Sequence, residues 1–162
     1  MMQPDTKSPT LLRAVLSGLA GGIVWFLSML LFFGPAQAIL ANPEYQSDKF
    51  LTVVGQLEPL PYVIESWWIL GVALLFIGML YGITYHFIRQ AFSQNPWWKK
   101  GLKFGLVAWM LMVPWFEFYL PWNVMHEPAL LVLLEMVLWM GVLLCVGLII
   151  ARVYEWNLIN SK

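Results

Sequence analysis

Charged residues are scarce in this chain of 162 residues. Asp, Glu, Lys and Arg make up 11% of it, against roughly 25% in soluble globular domains, and 60% of the residues are hydrophobic. Nine basic and nine acidic residues leave a formal net charge of zero. The composition therefore excludes a water-soluble domain of useful size, and it lacks the basic excess that a nucleic-acid partner would require.

Cysteine, histidine and catalytic motifs are also sparse. The single cysteine, Cys145, lies in an apolar run, which excludes an intrachain disulfide and a CxxC redox or zinc site. The two histidines, His86 and His126, are predicted at opposite faces of a membrane, so they cannot ligate one haem together, and we predict no cofactor. The GxSxG, Walker A and glycine-rich nucleotide motifs are absent from the sequence, so its features lean away from an enzyme.

Long apolar runs are what the chain does have, with a mean hydropathy of +0.72. Four of them exceed or approach the about 20 helical residues that cross a bilayer. They cover residues 11–33, 67–87, 102–120 and 129–153. The first is longer than the apolar core of a signal peptide, about 7–15 residues, so we expect it to stay as a span although Ala36-Gln37-Ala38 matches a cleavage pattern. We predict an all-α membrane protein with one domain, residues 1–162, whose four transmembrane helices form a compact bundle.

The basic residues orient these spans. Eight of the nine fall on one side: Lys7, Arg13, Arg89, Lys99, Lys100, Lys103, Arg152 and Lys162. The positive-inside rule then predicts a multi-pass protein of the plasma membrane (the bacterial inner membrane) with both termini and the 88–101 loop in the cytoplasm. Seven of the nine acidic residues fall in the outer half: Glu44, Asp48, Glu58, Glu65, Glu117, Glu127 and Glu135.

Small residues recur one helical turn apart in every predicted span. Such pairs let helix backbones approach closely inside a membrane. The pairs are Gly18/Gly22, Gly78/Gly82, Gly101/Gly105 and Gly147/Ala151. The first pair aligns with the third, and Glu65/Gly71 aligns with Glu135/Gly141, which favours two helical hairpins related as a parallel repeat. The pattern leaves open whether some pairs face a second copy of the chain.

The outer loop, residues 34–64, is the largest segment outside the spans. Phe50, Val53, Val54 and Leu57 recur in it at helical spacing, and Ser47 or Asp48 could cap the start of a helix. We predict a short amphipathic helix over 48–56 that lies on the outer interface. An irregular loop folded onto the bundle is the alternative.

Carboxylates near the outer face form the first candidate site. Glu117 and Glu135 are predicted about 7–10 Å below the surface on adjacent antiparallel helices, because each residue rises about 1.5 Å. Glu65 lies just above them, and His126 and Glu127 occupy the turn over them. Carboxylates at that depth usually face a protein interior or a wet cavity, so we predict an ion or proton site. The alternative is a structural role with hydrogen bonds to Trp or Tyr, and the sequence leaves a metal undetermined.

Three tryptophans near the middle of their spans form the second candidate site. Trp25, Trp109 and Trp139, together with the small Gly78, could enclose an apolar slot for a lipid, quinone or pigment. Large aromatic side chains opposite glycine are more often a packing device. The slot is therefore a hypothesis that competes with ordinary core packing.

Function follows only in outline from these patterns. A small chain with no soluble domain and with glycine on its helix faces favours a non-catalytic binding or accessory subunit. Its partners would be the lipid bilayer and further copies of itself or other membrane subunits. The first alternative is a transporter or channel that uses the outer carboxylates as a cation or proton site. The second is a membrane enzyme that acts on a lipid-like substrate with the help of His126.

Overall fold

The computed structural model of the chain describes residues 10–56, 58–59, 61–62 and 66–159, with side chains up to residue 156. The regular structure in this part of the chain is entirely helical. Its main helices are α1 (Leu11–Leu40), α2 (Asp48–Gly55), α3 (Trp67–Ile88), α4 (Trp97–Glu117) and α5 (Ala129–Ile159). A 3-10 turn, Arg89–Phe92, follows α3, and a π-helix, Phe118–Val124, follows α4.

Four of these helices are long and apolar enough to cross a membrane, which confirms that element of the predicted fold. Two of the helix boundaries differ from those of the apolar runs in the sequence. Helix α1 continues past Pro35 to Leu40, because a proline removes only its own N–H from the ladder of helical hydrogen bonds. Helix α4 begins at Trp97, since the lysines of its first two turns lower hydropathy without opposing helix formation.

Helices α1 and α5 lie at the centre of the bundle and pack against each other. Helix α3 packs on the other side of α1, and α4 packs on the other side of α5. The outer helices α3 and α4 hardly approach each other along their backbones. The buried core follows this order and draws Trp25 from α1, Tyr85 from α3, Phe104 from α4 and Val146 from α5.

Glycines set the closest approaches within each helical hairpin. A Cβ atom built on Gly18 would lie 2.5 Å from the carbonyl oxygen of Gly78, and one on Gly22 would lie 2.6 Å from that of Leu74. Gly82 meets the carbonyl oxygen of Ala14 in the same way. Since these neighbours are backbone atoms, no larger residue fits without moving α1 away from α3.

The hairpin of α4 and α5 repeats this packing. A Cβ atom on Gly101 would lie 2.8 Å from the carbonyl oxygen of Gly147, and one on Gly105 would collide with that of Leu143. Ala151, one turn after Gly147, is fully buried. These small residues therefore contact helices of their own chain, and they give no support to a second copy as the neighbour.

The bundle has two chemically different ends. One, here called the acidic end, holds α2 and residues 118–128. The other, the basic end, holds Thr10–Arg13, residues 89–100 and residues 152–156. Helix α2 begins at Asp48 because the Ser47 hydroxyl accepts a hydrogen bond from the Phe50 N–H, and it ends at Gly55. The helix is thus one residue shorter than the segment that the sequence predicts.

Candidate functional site at the acidic end

Glu117 and Glu135 meet inside the bundle near the acidic end. Glu117 is the last residue of α4 and is 1% exposed, whereas Glu135 is half-buried on α5. The Glu117 carboxyl lies close to the Glu135 carboxyl and to the Trp139 indole. Two carboxyl groups stay this close when they share a proton or a cation, because two bare negative charges repel each other.

A π-helix directly after Glu117 turns the chain from α4 toward α5. It contains Pro121, which has no N–H to donate, so the ladder widens and the Met125 N–H donates to the carbonyl of Leu120, five residues earlier, at 2.9 Å. The Glu127 N–H then donates to the carbonyl of Pro121 at 2.9 Å. This turn folds the Glu127 side chain inward, where it is 5% exposed.

Ser47 joins helix α2 to that turn. Its hydroxyl lies 2.6 Å from the carbonyl oxygen of Met125 and 3.2 Å from a carboxylate oxygen of Glu127, so its one proton can be donated to either. Burial raises the pKa of Glu127 above its ordinary value, and hydrogen bonds from Ser47 oppose that rise. The serine thus caps α2 and holds it against the turn.

A cavity of about 350 Å³ lies beneath α2. The carboxyl of Glu135 lines it together with the amide side chains of Gln37 and Gln46. The remaining walls are apolar and include Phe33 from α1 and Phe50 from α2. Helix α2 therefore roofs a mixed cavity, apolar on most sides, with a carboxyl group in its lining.

Several buried oxygens around this region have no hydrogen-bond partner in the described part of the chain. They are Oε1 of Gln46, Oε2 of Glu117 and Oε2 of Glu127. A buried polar atom without a partner costs about 1–3 kcal/mol, and native structures keep few of them. When the carboxyls are ionised all three atoms are acceptors, so each would be satisfied by a group that brings hydrogen-bond donors or positive charge.

The other two members of the predicted ion site are His126 and Glu65. His126 is exposed and adopts a positive φ of 61°, which directs the chain around the turn. Glu65 lies outside the described residues. Among the residues that the structure describes, no three His, Cys, Asp or Glu side chains lie close enough together to hold a metal ion. Of the described members of the predicted ion site, Glu117 and Glu127 are buried and Glu135 is half-buried, and an ion or proton site at these carboxyls stays a prediction.

The central tryptophans are engaged in core packing. Trp25 and Trp139 meet edge-to-face with ring centroids 6.4 Å apart, and Trp25 makes a closer edge contact of 5.1 Å with Tyr81. The Trp109 indole donates to the carbonyl of Met136 at 2.9 Å. Gly78 faces the backbone of α1 rather than an indole. Of the four residues of the predicted slot, Trp25 and Trp139 therefore contact each other, whereas Trp109 and Gly78 contact other neighbours.

A buried polar cluster at the basic end escaped the sequence analysis. Glu155 of α5 is 7% exposed; one of its oxygens accepts from Lys100 at 3.2 Å and from the Tyr85 hydroxyl at 3.3 Å, and lies 3.8 Å from Arg89. Beside it the Tyr154 hydroxyl lies 2.6 Å from Nδ1 of His86. Glutamate at the end of an apolar run was the available signal. Its cationic partners lie on other helices, so sequence spacing did not connect them.

No family model, curated protein or solved structure matches the chain.

Proposed function

We propose that this chain is a non-catalytic binding or accessory subunit of the plasma membrane (the bacterial inner membrane), with its basic end in the cytoplasm and its acidic end outside. Its four apolar helices are compatible with such a membrane protein. Six of the seven described Lys and Arg residues lie toward one end, as the positive-inside rule requires of a cytoplasmic face, and the exception is Lys49 in α2. On this orientation the cavity beneath α2 opens toward the outer face.

We propose further that the site at the acidic end binds an organic cation that carries a protonated amine. The observation that carries this proposal is the pair of buried carboxyls, Glu117 and Glu127, each with an oxygen that has no partner among the described residues, near a cavity lined by Glu135. An ammonium group offers three N–H donors and one positive charge. It would satisfy acceptors that the described residues leave without a partner, and its charge would offset the repulsion between Glu117 and Glu135.

The shape of the cavity favours an organic cation over a bare metal ion. A volume of about 350 Å³ is far larger than an ion, and the walls around Glu135 are mostly apolar. Small-molecule sites typically combine such apolar walls with a few convergent polar groups. A ligand with an ammonium group on an apolar body matches both the apolar walls and the polar groups of this cavity.

Binding is favoured over transport by the packing below the site. Trp25, Tyr81 and Trp139 pack edge-to-face in the middle of the bundle. An ion that crosses the membrane would have to pass this aromatic layer, and a charge in such surroundings is costly. Transport by an oligomer and catalysis with His126 are the competing functions.

Titration calorimetry on the protein in nanodiscs of zwitterionic lipid tests the proposal. Phenethylammonium is the probe, and phenethyl alcohol is its neutral counterpart. We expect saturable binding of the ammonium alone, weakened at least tenfold by Glu135→Gln. Glu44→Gln removes an exposed carboxylate at the same end and serves as the matched control, with affinity unchanged. Equal binding of the alcohol, or equal loss in both variants, would overturn the proposal.

Two further measurements separate the competing functions. Uptake of the same ammonium into proteoliposomes, abolished by Glu117→Gln, would favour transport over binding alone. Turnover of an outer-leaflet lipid that is lost in His126→Ala, with folding intact, would favour an enzyme. We expect neither flux nor turnover.

A further inference from the structure

The two hairpins of the bundle have the same internal packing but different outer faces. Gly101 and Gly105 meet Gly147 and Leu143 as Gly18 and Gly22 meet Gly78 and Leu74. Position by position, α4 therefore corresponds to α1, and α5 corresponds to α3. A closed arrangement of two such hairpins would contain two equivalent junctions between hairpins, α1 with α5 and α4 with α3.

Only the first of these junctions is closely packed. Three residues after Gly18 stands Gly21, whose added Cβ would lie 2.7 Å from the Ile150 side chain, three residues after Gly147. At the other junction the corresponding residues are Phe104 and Tyr81, and their rings meet with centroids 6.0 Å apart. Two bulky rings thus replace a glycine contact, and they hold α3 and α4 apart.

A groove of about 540 Å³ lies between the separated helices. It is lined by Tyr81 and Thr84 from α3 and by a face of α4 that runs from Phe104 to Phe116. That face is about 18 Å long at about 1.5 Å per residue, slightly more than one leaflet of hydrocarbon, about 15 Å. Its walls are almost entirely apolar, so the groove suits a hydrocarbon chain.

The groove is long and narrow. A volume of about 540 Å³ spread over about 18 Å corresponds to a cross-section of about 30 Å². Together with the apolar walls, this shape suits a single extended acyl chain.

Cations stand where the groove meets the basic end. Lys100 lies one helical turn before Phe104, and Arg89 follows Ile88, which also lines the groove. These two cations share one carboxylate, that of Glu155. Nε of Arg89 is buried and has no partner in the described residues, and the exposed Lys103 lies close by along α4. Positive charge therefore lies beside this end of the groove, next to its lining residues Ile88 and Phe104.

We infer that the groove between α3 and α4 binds one anionic phospholipid, with an acyl chain along Phe104 and Ala108 and its phosphate near Arg89 and Lys103. Basic pockets between transmembrane helices on the cytoplasmic side are typical sites for acidic headgroups. The lipid would come from the leaflet at the basic end. The inference rests on the membrane setting but not on the proposed ligand site at the acidic end.

Native mass spectrometry of the delipidated protein in a neutral detergent tests this inference. The probes are phosphatidylglycerol and phosphatidylcholine with identical acyl chains, added at equal concentration. We expect one molecule of phosphatidylglycerol to bind at least tenfold more tightly than phosphatidylcholine. Equal binding of the two lipids, or a dimer that excludes both, would overturn the inference.

Ala108→Trp fills the groove without disturbing the glycine contacts. Its counterpart in the other hairpin is Trp25, seven residues after Gly18 as Ala108 is seven residues after Gly101, so the helix geometry already accommodates an indole there. We expect lipid binding to fall at least tenfold. Val72→Trp, on an exposed part of α3 outside the groove, is the matched control and should bind normally.

Lys103→Gln probes the headgroup separately. This exposed side chain touches only Asn95 among the described polar side chains, so its loss leaves the Glu155 cluster intact. We expect the preference for phosphatidylglycerol to fall several-fold while binding of phosphatidylcholine stays the same. An unchanged preference in Lys103→Gln, together with unchanged binding in a folded Ala108→Trp protein, would place the lipid elsewhere.

Discussion

At the basic end of the bundle, Glu155 is surrounded by donors: Lys100, Arg89 and the Tyr85 hydroxyl. At the acidic end, Glu117 is more deeply buried yet faces a second carboxyl group, and one of its oxygens has no partner in the described residues. The first arrangement ties three helices together and leaves its carboxylate satisfied. The second leaves a carboxylate unsatisfied, which is the condition in which a ligand has something to add.

The largest expected effect comes from Glu155→Gln at the basic end. The substitution keeps the volume but leaves Lys100 and Arg89 buried without a carboxylate, and breaking a buried ion pair in this way destabilises proteins by about 3–5 kcal/mol. Unfolding in mild detergent measures the loss. Lys99→Gln, whose exposed cation lies over the Trp98 ring, is the control and should change stability little. A small loss in Glu155→Gln would mean that the cluster does not hold the helices.

Ser47→Ala tests whether α2 is held against the turn. The variant loses the cap of α2 and the hydrogen bond to the Met125 carbonyl, so we expect a loss of about 1–2 kcal/mol. Amide hydrogen exchange should accelerate throughout α2. Thr52→Ala removes the hydrogen bond that the Thr52 hydroxyl donates to the backbone carbonyl of Asp48 in the same helix, and it should leave amide hydrogen exchange nearly unchanged. Equal acceleration in both variants would show that α2 is stable on its own.

Glu117→Gln should act in the opposite direction from Glu155→Gln. The amide removes one of two carboxyls in contact and adds donors, so the variant is expected to be as stable as the parent or up to about 1 kcal/mol more stable. The same unfolding assay compares the two variants directly. If Glu117→Gln loses as much stability as Glu155→Gln, both ends bury their carboxylates for the same structural purpose.

The smallest effect concerns the pH dependence of stability at Glu127. Burial raises its pKa above the ordinary value of 4.5, so the folded state binds the proton more tightly than the unfolded state. Its contribution is therefore fully present below about pH 4.5 and is lost as the pH rises through the folded pKa. Between pH 4.5 and neutral pH, the parent should lose this contribution to its free energy of unfolding, whereas Glu127→Gln has none to lose. The difference between the two losses should be under about 1 kcal/mol. An identical pH profile would contradict this, and Glu44→Gln is the exposed control.

The sequence predicted the features that depend on one helix at a time. Apolar runs located the four long helices, and the spacing of Phe50, Val53 and Val54 located α2. Matching depth along antiparallel helices was also enough to bring Glu117 near Glu135. Each of these predictions needed only a repeat length and a rise per residue.

Features that depend on packing between distant segments were not predictable. The Ser47–Glu127 contact requires the π-helix at Pro121, and the Glu155 cluster joins residues of three helices. The glycine pairs predicted close helix packing, but they did not identify the helix that each pair contacts. Gly71 and Gly141, which the sequence aligns as repeated positions, have different surroundings, since an added Cβ atom would meet open space at Gly71 and the Phe32 ring at Gly141.

The central position of α1 has a consequence for the order in which the protein assembles. Its Gly18 face can meet α3 as soon as the second long helix has been made, whereas its Gly21 face contacts α5, the last helix of the chain. During synthesis, the Gly18 face of α1 would therefore be packed while its Gly21 face stays uncovered until α5 has been made. Two fragments divided between α3 and α4 should each form a hairpin and then recombine through this surface, together with the contacts of Tyr85 with Glu155 and of Ser47 with Glu127.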